Sequence, residues 1–165
     1  MNAIFHRVSI RQFKEDAINE QQIESIMRAA MAAPSAMNQQ PWEFYVVENK
    51  EMIQKLAACG ENTACAAGAP LVIVPCYKKE DILAPGLEMV DMSAATENLL
   101  LEVDTLGLGA VWLGIAPREE AMNYVRDALQ IEARLVPFAM IAVGYPAEEK
   151  QQEDRFDPKR IHFVK

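Results

Sequence analysis

The hydrophobic positions of this 165-residue chain change their spacing along its length, and the changes mark a regular succession of helices and strands. Segments in which apolar residues recur every three or four positions are predicted as helices, and short runs rich in aromatic and β-branched residues as strands. The predicted helices run from Asn19 to Pro34, from Met52 to Gly60, from Leu87 to Leu106 and from Arg118 to Leu129. The predicted strands are residues 42–48, 70–77, 110–115 and 137–143.

Two segments carry more apolar surface than a domain of this size covers by itself. Between Leu87 and Leu106 apolar residues occupy more than one face, so this helix must be covered nearly all round. Residues 147–154 form a polar linker, and residues 155–165 end in an alternating, strand-like piece that pairing with the edge of another sheet would bury. Both features predict a homodimer.

Alternation of helices and strands would, on the pattern alone, suggest a parallel, doubly wound sheet. The glycines do not support a dinucleotide-binding version of that fold. Gly107 and Gly109 lack the third glycine of the dinucleotide fingerprint, and they follow a helix and enter a strand, which is the reverse of the usual order. We interpret them as a helix stop and a tight turn.

Length, charge and cysteine content narrow the class of protein. The chain is long enough for one domain, 1–165, and its net charge of −8 disfavours nucleic acid and anionic lipid as partners. The amino terminus does not resemble a signal peptide, and the most apolar run is too short to span a bilayer. The three cysteines show no spacing typical of a disulfide framework, which suits a cytoplasmic protein. With only two histidines, the cysteines lack the further ligands that a metal site would need.

Two segments carry candidate chemistry. Residues 6–11 read His-Arg-Val-Ser-Ile-Arg, which places two guanidiniums and a hydroxyl within five positions, as suits a phosphate and the pyrimidine edge of a cofactor. Residues 33–42 form a proline-punctuated loop of small and amide side chains that can approach a flat ring. Taken alone, Arg7 and Arg11 would more simply form a solvated basic face.

The chain resembles the FMN-dependent nitroreductase family in four landmarks that occur in the family's order. Residues 7–11 are similar to the family's R-R-S-[IV]-R opening, and residues 33–42 resemble A-P-S-x-x-N-x-Q-P-W. Residues 106–114 are similar to L-G-L-G-[ST]-x-W-[IL]-G, and Val-Gly-Tyr-Pro at 143–146 is followed by Arg-Phe-Asp-Pro at 155–158. Each landmark alone is a weak signal, but four in register are specific.

The resemblance implies where a flavin would be held. Arg7 and Ser9 would hold the FMN phosphate and ribityl chain, and Arg155 would add a second guanidinium from the tail. Arg11 would lie beside the N1 and O2 edge of the ring, where a positive charge favours transfer of electron pairs. Val8 belongs to this cofactor-binding segment but replaces a basic residue of the family pattern, which removes one phosphate donor.

The resemblance also implies contacts with the flavin ring from both subunits. The loop residues lent by the second subunit would be Pro34, Ser35, Asn38 and Gln40. The backbone N–H groups facing flavin N5 and O4 would come from Leu113, Gly114 and Ile115, and Asn62 is a weak further candidate. Asp91 and Glu97 on the long helix are more typical of ion pairs or exposed positions than of a general acid or base, and no protein residue is predicted to carry the chemistry.

The implied fold is an α+β, three-layer α/β/α sandwich around a mixed, mainly antiparallel sheet, in an intertwined dimer whose tail, residues 147–165, packs on the partner subunit. The implied activity is ping-pong transfer of electron pairs from NADH or NADPH, through FMN, to small electron-poor acceptors such as nitroaromatics or quinones. The alternatives are a non-catalytic flavin-binding protein, a relative with a different flavin chemistry, and a structural dimer that has lost FMN.

Overall fold

The computed structural model of the protein describes residues 2–165. Its helices are α1 (Ala3–His6), α2 (Glu20–Met31), α3 (Lys50–Ala57), α4 (Glu88–Thr105) and α5 (Glu119–Leu129). Its strands are β1 (Trp42–Val47), β2 (Leu71–Lys78), β3 (Gly109–Gly114), β4 (Leu135–Pro137) and β5 (Ala139–Gly144). Short 3-10 helices cover Ala36–Asn38, Glu61–Gly68 and Pro158–Arg160.

Local signals in the sequence set the helix boundaries. Asn19 and Gln22 form a reciprocal capping box at the start of α2, and Asn49 accepts a hydrogen bond from the N–H of Met52 at the start of α3. Gly107 ends α4 with a φ of +72°, a conformation that costs glycine little. The interpretation of Gly107 as a helix stop is confirmed.

The strands form one sheet in the order β1-β2-β5-β3, and every ladder in it is antiparallel. Strand β4 pairs with β2 beyond the end of β5, because Phe138 interrupts the two strands and donates its N–H to the carbonyl of Pro75. The parallel sheet that alternation alone suggests is therefore wrong. The connections of this fold bring the chain back so that paired strands run antiparallel. The spacing of hydrophobic positions in helices and strands does not reveal that direction.

Hydrophobic cores lie on both faces of the sheet. Helices α2 and α4 bury residues such as Ile26, Met92 and Leu99 on one face. Helices α3 and α5 bury residues such as Leu56 and Val125 on the other. The result is a three-layer α/β/α sandwich, which confirms the predicted fold class, and no helix among residues 2–165 is both long and apolar enough to cross a bilayer.

The amino-terminal segment runs beside β3 and the residues that follow β5. Ser9 forms an isolated parallel bridge with Ala110, and Phe13 forms an antiparallel one with Pro146. Residues 155–165 form no strand within the chain, and Phe163 is 81% exposed. Pairing of this tail with a second subunit therefore stays a prediction.

Candidate functional site

Two cavities meet at Arg11, at the edge of the sheet where the amino-terminal segment crosses β3. One, of about 310 Å³, is lined mainly by cationic and polar side chains. The other, of about 420 Å³, lies along the end of β3 and the 3-10 helix Glu61–Gly68. Arg11 lines both, so the two cavities lie next to each other at this one side chain.

The first cavity gathers cations from both ends of the chain. Its lining residues are Arg7, Val8, Ser9, Arg11, Lys150, Gln152 and Arg155. Four cations around one cavity, in a protein of net charge −8, are a set of donors that suits a phosphate. Nε of Arg7 lies 3.6 Å from Oε1 of Glu97, which agrees with the expectation that Glu97 is ion-paired or exposed.

The residues after β5 are joined by hydrogen bonds to the amino-terminal segment of the same chain. Ala147 donates its N–H to the carbonyl of Gln12 at 2.9 Å, and the amide of Gln152 donates to the carbonyl of Arg7 at 2.8 Å. Lys150 Nζ lies 3.4 Å from the carbonyl oxygen of Ser9. Residues 147–152 thus act as part of the cation cavity rather than as a free linker.

Glu148 joins these two segments. Its Oε1 accepts hydrogen bonds from the N–H of Arg11 at 2.6 Å and of Gln12 at 3.2 Å, and from Lys150 Nζ at 2.9 Å. The N–H of Arg11 contributes most to holding the pKa of Glu148 below its usual value, and Lys150 acts in the same direction. Glu148 stays ionised at neutral pH and fixes the backbone that carries Arg11.

The second cavity has fewer charged lining residues than the first. Its lining residues are Arg11, Glu61, Asn62, Cys65, Trp112, Leu113 and Gly114. Gly114 is exposed at the end of β3, and a Cβ built on it would meet nothing within 4 Å. Its backbone can therefore approach a planar ring closely.

Close packing sets the position of the amino-terminal segment over β3. A Cβ on Gly109 would lie 2.8 Å from Cγ1 of Ile10, and Ile10 donates its N–H to the carbonyl of Ala110 at 2.9 Å. Gly109 is thus a close-approach position, and the contact fixes Ser9 and Arg11 relative to Gly114. The guanidinium of Arg118 donates to the carbonyl of Gly114 and so holds that peptide in place.

The loop over residues 34–40 lies apart from both cavities in the single chain, because none of its residues lines them. Met37, Asn38 and Gln40 have positive φ angles, which side chains with a Cβ rarely adopt. Asp91 holds the loop from helix α4, and it is only 4% exposed. The expectation that Asp91 is exposed or ion-paired is wrong, because its buried carboxylate accepts hydrogen bonds from neutral N–H groups.

A third cavity, of about 670 Å³, also lies against the amino-terminal segment. It shares Arg7, Val8 and Lys150 with the cation cavity but adds Asp104, Glu148 and Glu149. These carboxylates line this cavity itself, whereas none among residues 2–165 lines the cation cavity, and carboxylates in the lining lower the affinity of a site for phosphate. We therefore place the candidate site at the two cavities that share Arg11.

The structure brings together some of the residues predicted from the sequence and leaves others apart. Those that line the two cavities are Arg7, Val8, Ser9, Arg11, Asn62, Leu113, Gly114 and Arg155. Those that line neither are Pro34, Ser35, Asn38, Gln40 and Ile115. Ile115 is 0% exposed, backbone included, so neither its side chain nor its N–H reaches a ligand in these cavities.

Sequence reasoning missed several lining residues, namely Glu61, Cys65, Trp112, Lys150 and Gln152. Lys150 and Gln152 belong to a stretch that reads as a polar linker. Their spacing of two, after the anchoring Tyr-Pro at 145–146, is the signal that could have shown an extended segment with one face toward the site.

Comparisons with known proteins agree on one family. A model described as "Nitroreductase family" matches residues 4–59 and 58–145. A protein of Archaeoglobus fulgidus, provisionally named an NADH dehydrogenase/NAD(P)H nitroreductase, is 42% identical over 100% of this chain and 97% of its own length.

Solved structures show the same likeness. A provisionally named NADH oxidase of Clostridium acetobutylicum has a TM-score of 0.95 and 44% identity over 99% of both chains. A nitroreductase of Desulfovibrio desulfuricans, solved in complex with FMN, has a TM-score of 0.86 and 30% identity, covering 99% of this chain and 95% of its own.

Proposed function

Because this chain belongs to the nitroreductase family, we propose that it is an FMN-dependent NAD(P)H oxidoreductase that passes electron pairs to small, electron-poor acceptors such as nitroaromatics or quinones. The names of its relatives support an oxidoreductase that uses NAD(P)H. The observation that carries the proposal is that a four-cation cavity and a second cavity, lined by Trp112, Leu113 and Gly114, share one arginine, Arg11.

The residues of the first cavity fit the phosphate and ribityl chain of FMN. A phosphate of charge near −2 matches the guanidiniums of Arg7 and Arg155 and the ammonium of Lys150. The hydroxyl of Ser9 and the amide of Gln152 suit the ribityl hydroxyls. Val8, where the family pattern has a basic residue, supplies no charge, and Lys150 in the same cavity compensates for it.

The residues of the second cavity fit the flavin ring. When bound, FMN supplies a ring that accepts a hydride from NAD(P)H and passes the electron pair on to an acceptor. The protein's own contribution is electrostatic and steric: Arg11 places a fixed positive charge at one edge, and Gly114 leaves room for close approach of the backbone. No protein side chain needs to exchange a proton with the ring.

A second copy of the chain would complete this site. The loop with Pro34, Ser35, Asn38 and Gln40 lines neither cavity of its own chain, which supports its assignment to the flavin of the partner. Exposed apolar residues on or beside α4 support the same arrangement: Leu87 is 44% exposed and Val90 is 63% exposed. We therefore include a cytoplasmic homodimer in the proposal. Of the predicted tail, residues 147–165, the part up to Arg155 serves the cation cavity of its own chain, which leaves residues 156–165 to reach the partner.

Anaerobic titration of the purified, FMN-loaded protein with NADH and with NADPH tests the proposal. Full loss of the oxidised flavin absorbance with one equivalent of donor, followed by its return on adding a nitroaromatic or a quinone, is the expected result. If neither donor reduces the bound FMN, the protein is a non-catalytic flavin-binding protein rather than an enzyme. Failure to bind FMN would refute the site itself, and sedimentation of the loaded protein checks the dimer.

A further inference from the structure

The loop over residues 35–40 holds an uncommon backbone conformation that something outside it must maintain. Met37, Asn38 and Gln40 have φ angles of +50°, +53° and +45°. Such angles persist in residues other than glycine only where the surrounding structure enforces them. Inside the loop, Ser35 Oγ accepts a hydrogen bond from the N–H of Gln40 at 3.0 Å, which closes the turn but does not anchor it to the domain.

Asp91 on helix α4 supplies the anchor. Its Oδ1 accepts a hydrogen bond from the N–H of Ala36 at 2.8 Å, and its Oδ2 accepts one from Nε2 of Gln39 at 2.6 Å. The same Gln39 side chain accepts a hydrogen bond from the N–H of Ala84 at 2.8 Å. The carboxylate therefore ties the loop to α4 and, through Gln39, to the segment that precedes the helix.

The chemistry of this contact requires a carboxylate. Asp91 is 4% exposed, and a charge so deeply buried is costly unless donors face both oxygens, as they do here. Both oxygens of Asp91 accept hydrogen bonds from N–H groups. An asparagine has only one oxygen, and its N–H₂ group would face an N–H donor that it cannot bind. Replacement of Asp91 by its neutral isostere therefore breaks one of the two contacts and weakens the other.

The anchor sorts the loop side chains into two sets. Gln39 points inward and is used by the anchor, whereas Asn38 and Gln40 on either side of it are less buried and make no contact with Asp91. The amides of Asn38 and Gln40 lie within 3.3 Å of each other, so the loop presents them together. A rigid pair of amides suits the polar edge of a flat ring.

We propose that Asp91 is a positioning residue of the flavin site: it fixes the loop so that Asn38 and Gln40 meet the flavin of the partner subunit. This inference rests on the proposed function. The inference gives helix α4 a role beyond packing. Its buried carboxylate, Asp91, orders the loop and thereby sets how well the loop closes over the ring.

The test compares Asp91→Asn with Glu102→Gln, a matched control on the same helix. The control variant loses one negative charge like the test variant, but its new amide keeps an oxygen that can accept the hydrogen bond that Ser25 Oγ donates to Glu102 at 2.6 Å. In the protein without FMN, amide hydrogen exchange in residues 35–40 is expected to rise about tenfold or more in Asp91→Asn and to stay unchanged in Glu102→Gln, as loss of hydrogen bonds to a charged group predicts.

FMN affinity, measured by fluorescence titration well below the unfolding temperature, is the second readout. Asp91→Asn should weaken binding about tenfold or more, mainly through faster dissociation. Asn38→Ala and the double variant complete a cycle: if Asp91 acts through the loop, its effect shrinks once Asn38 is gone. A merely structural role would lower the unfolding temperature, leave the affinity unchanged and make the cycle additive.

The outcomes separate this inference from the proposed function. Faster exchange with unchanged FMN affinity overturns the role of Asp91 while the proposed function stands. A wild-type protein that binds no FMN overturns both. Where Asp91→Asn does not fold, Gln39→Ala decides, because it removes the bridge from Asp91 to Ala84 and should reproduce the loss of FMN affinity in weaker form.

Discussion

Replacement of Gly114 by alanine separates the stability of this fold from its capacity to hold a flavin. In the protein itself a Cβ at Gly114 meets no atom within 4 Å, and the residue is not in the left-handed region. Glycine in a strand costs about 0.5–1 kcal/mol relative to alanine, so Gly114→Ala should raise the free energy of unfolding by a similar amount.

The same methyl should weaken the binding of FMN. Strand alternation places it on the side of Trp112, and both residues line the cavity of about 420 Å³ that we assign to the ring. A methyl forced into a close contact typically costs about 1–3 kcal/mol, which corresponds to an affinity lowered by about 5- to 150-fold. Gly114→Ala should therefore raise the free energy of unfolding and lower the affinity for FMN.

Urea unfolding of the FMN-free protein and fluorescence titration with FMN measure the two effects. Gly68→Ala is the matched control, because a Cβ there also meets nothing within 4 Å and Gly68 lines neither cavity. It should leave FMN affinity unchanged. An unaltered affinity in Gly114→Ala, or an equal loss in both variants, would refute the placement of the ring against Gly114.

Three further predictions concern the segment that carries Arg11. Arg11→Ala should lower the two-electron reduction potential of bound FMN and raise the fraction of one-electron-reduced flavin during an anaerobic titration; unchanged redox behaviour would place Arg11 away from the ring edge. Folding lowers the pKa of Glu148, so its ionised carboxylate stabilises the fold above the unfolded-state pKa, and this stabilisation is lost as the pH falls through the folded-state pKa. Urea unfolding between about pH 6 and 3 should therefore show a smaller loss of stability in Glu148→Gln than in the wild type. Gly109→Ala should both destabilise the fold, by about 1–3 kcal/mol in thermal or urea unfolding, and weaken FMN binding, since the new methyl would lie 2.8 Å from Ile10; a destabilised variant with full FMN affinity would uncouple that packing from the site.

The periodic segments were predictable because their signals are local. The α4 helix has the expected bounds to within one residue, and the cap at Asn19 and the stop at Gly107 need only neighbouring residues. The direction of the strands was not readable from period, because a strand buried on both faces, such as β2, carries the same apolar run in parallel and antiparallel sheets. Family resemblance supplied that information.

Within the site, the predictable residues are those in short motifs. Arg7, Ser9 and Arg11 stand together in the sequence and line one cavity. Lys150 was missed because its role depends on an extended segment whose contact, the carbonyl of Ser9, lies 141 residues away in the chain. Asp91 was misjudged for a related reason: its partners, Ala36 and Gln39, lie in a loop more than 50 residues earlier, and burial of a carboxylate is a tertiary property.

In the proposed function the site is divided between two rigid elements, and this division would let a short chain hold a large cofactor. The cation cavity is built where the two ends of the chain meet, and contacts of Gly109, Ile10 and Glu148 within the chain fix it. The amide loop is fixed separately, by Asp91 on α4. Within one chain the two elements do not meet, because no residue of the loop lines either cavity that shares Arg11. In the proposed homodimer each copy lends the element that the other lacks, and folding rather than flavin binding supplies the energy that orders both elements.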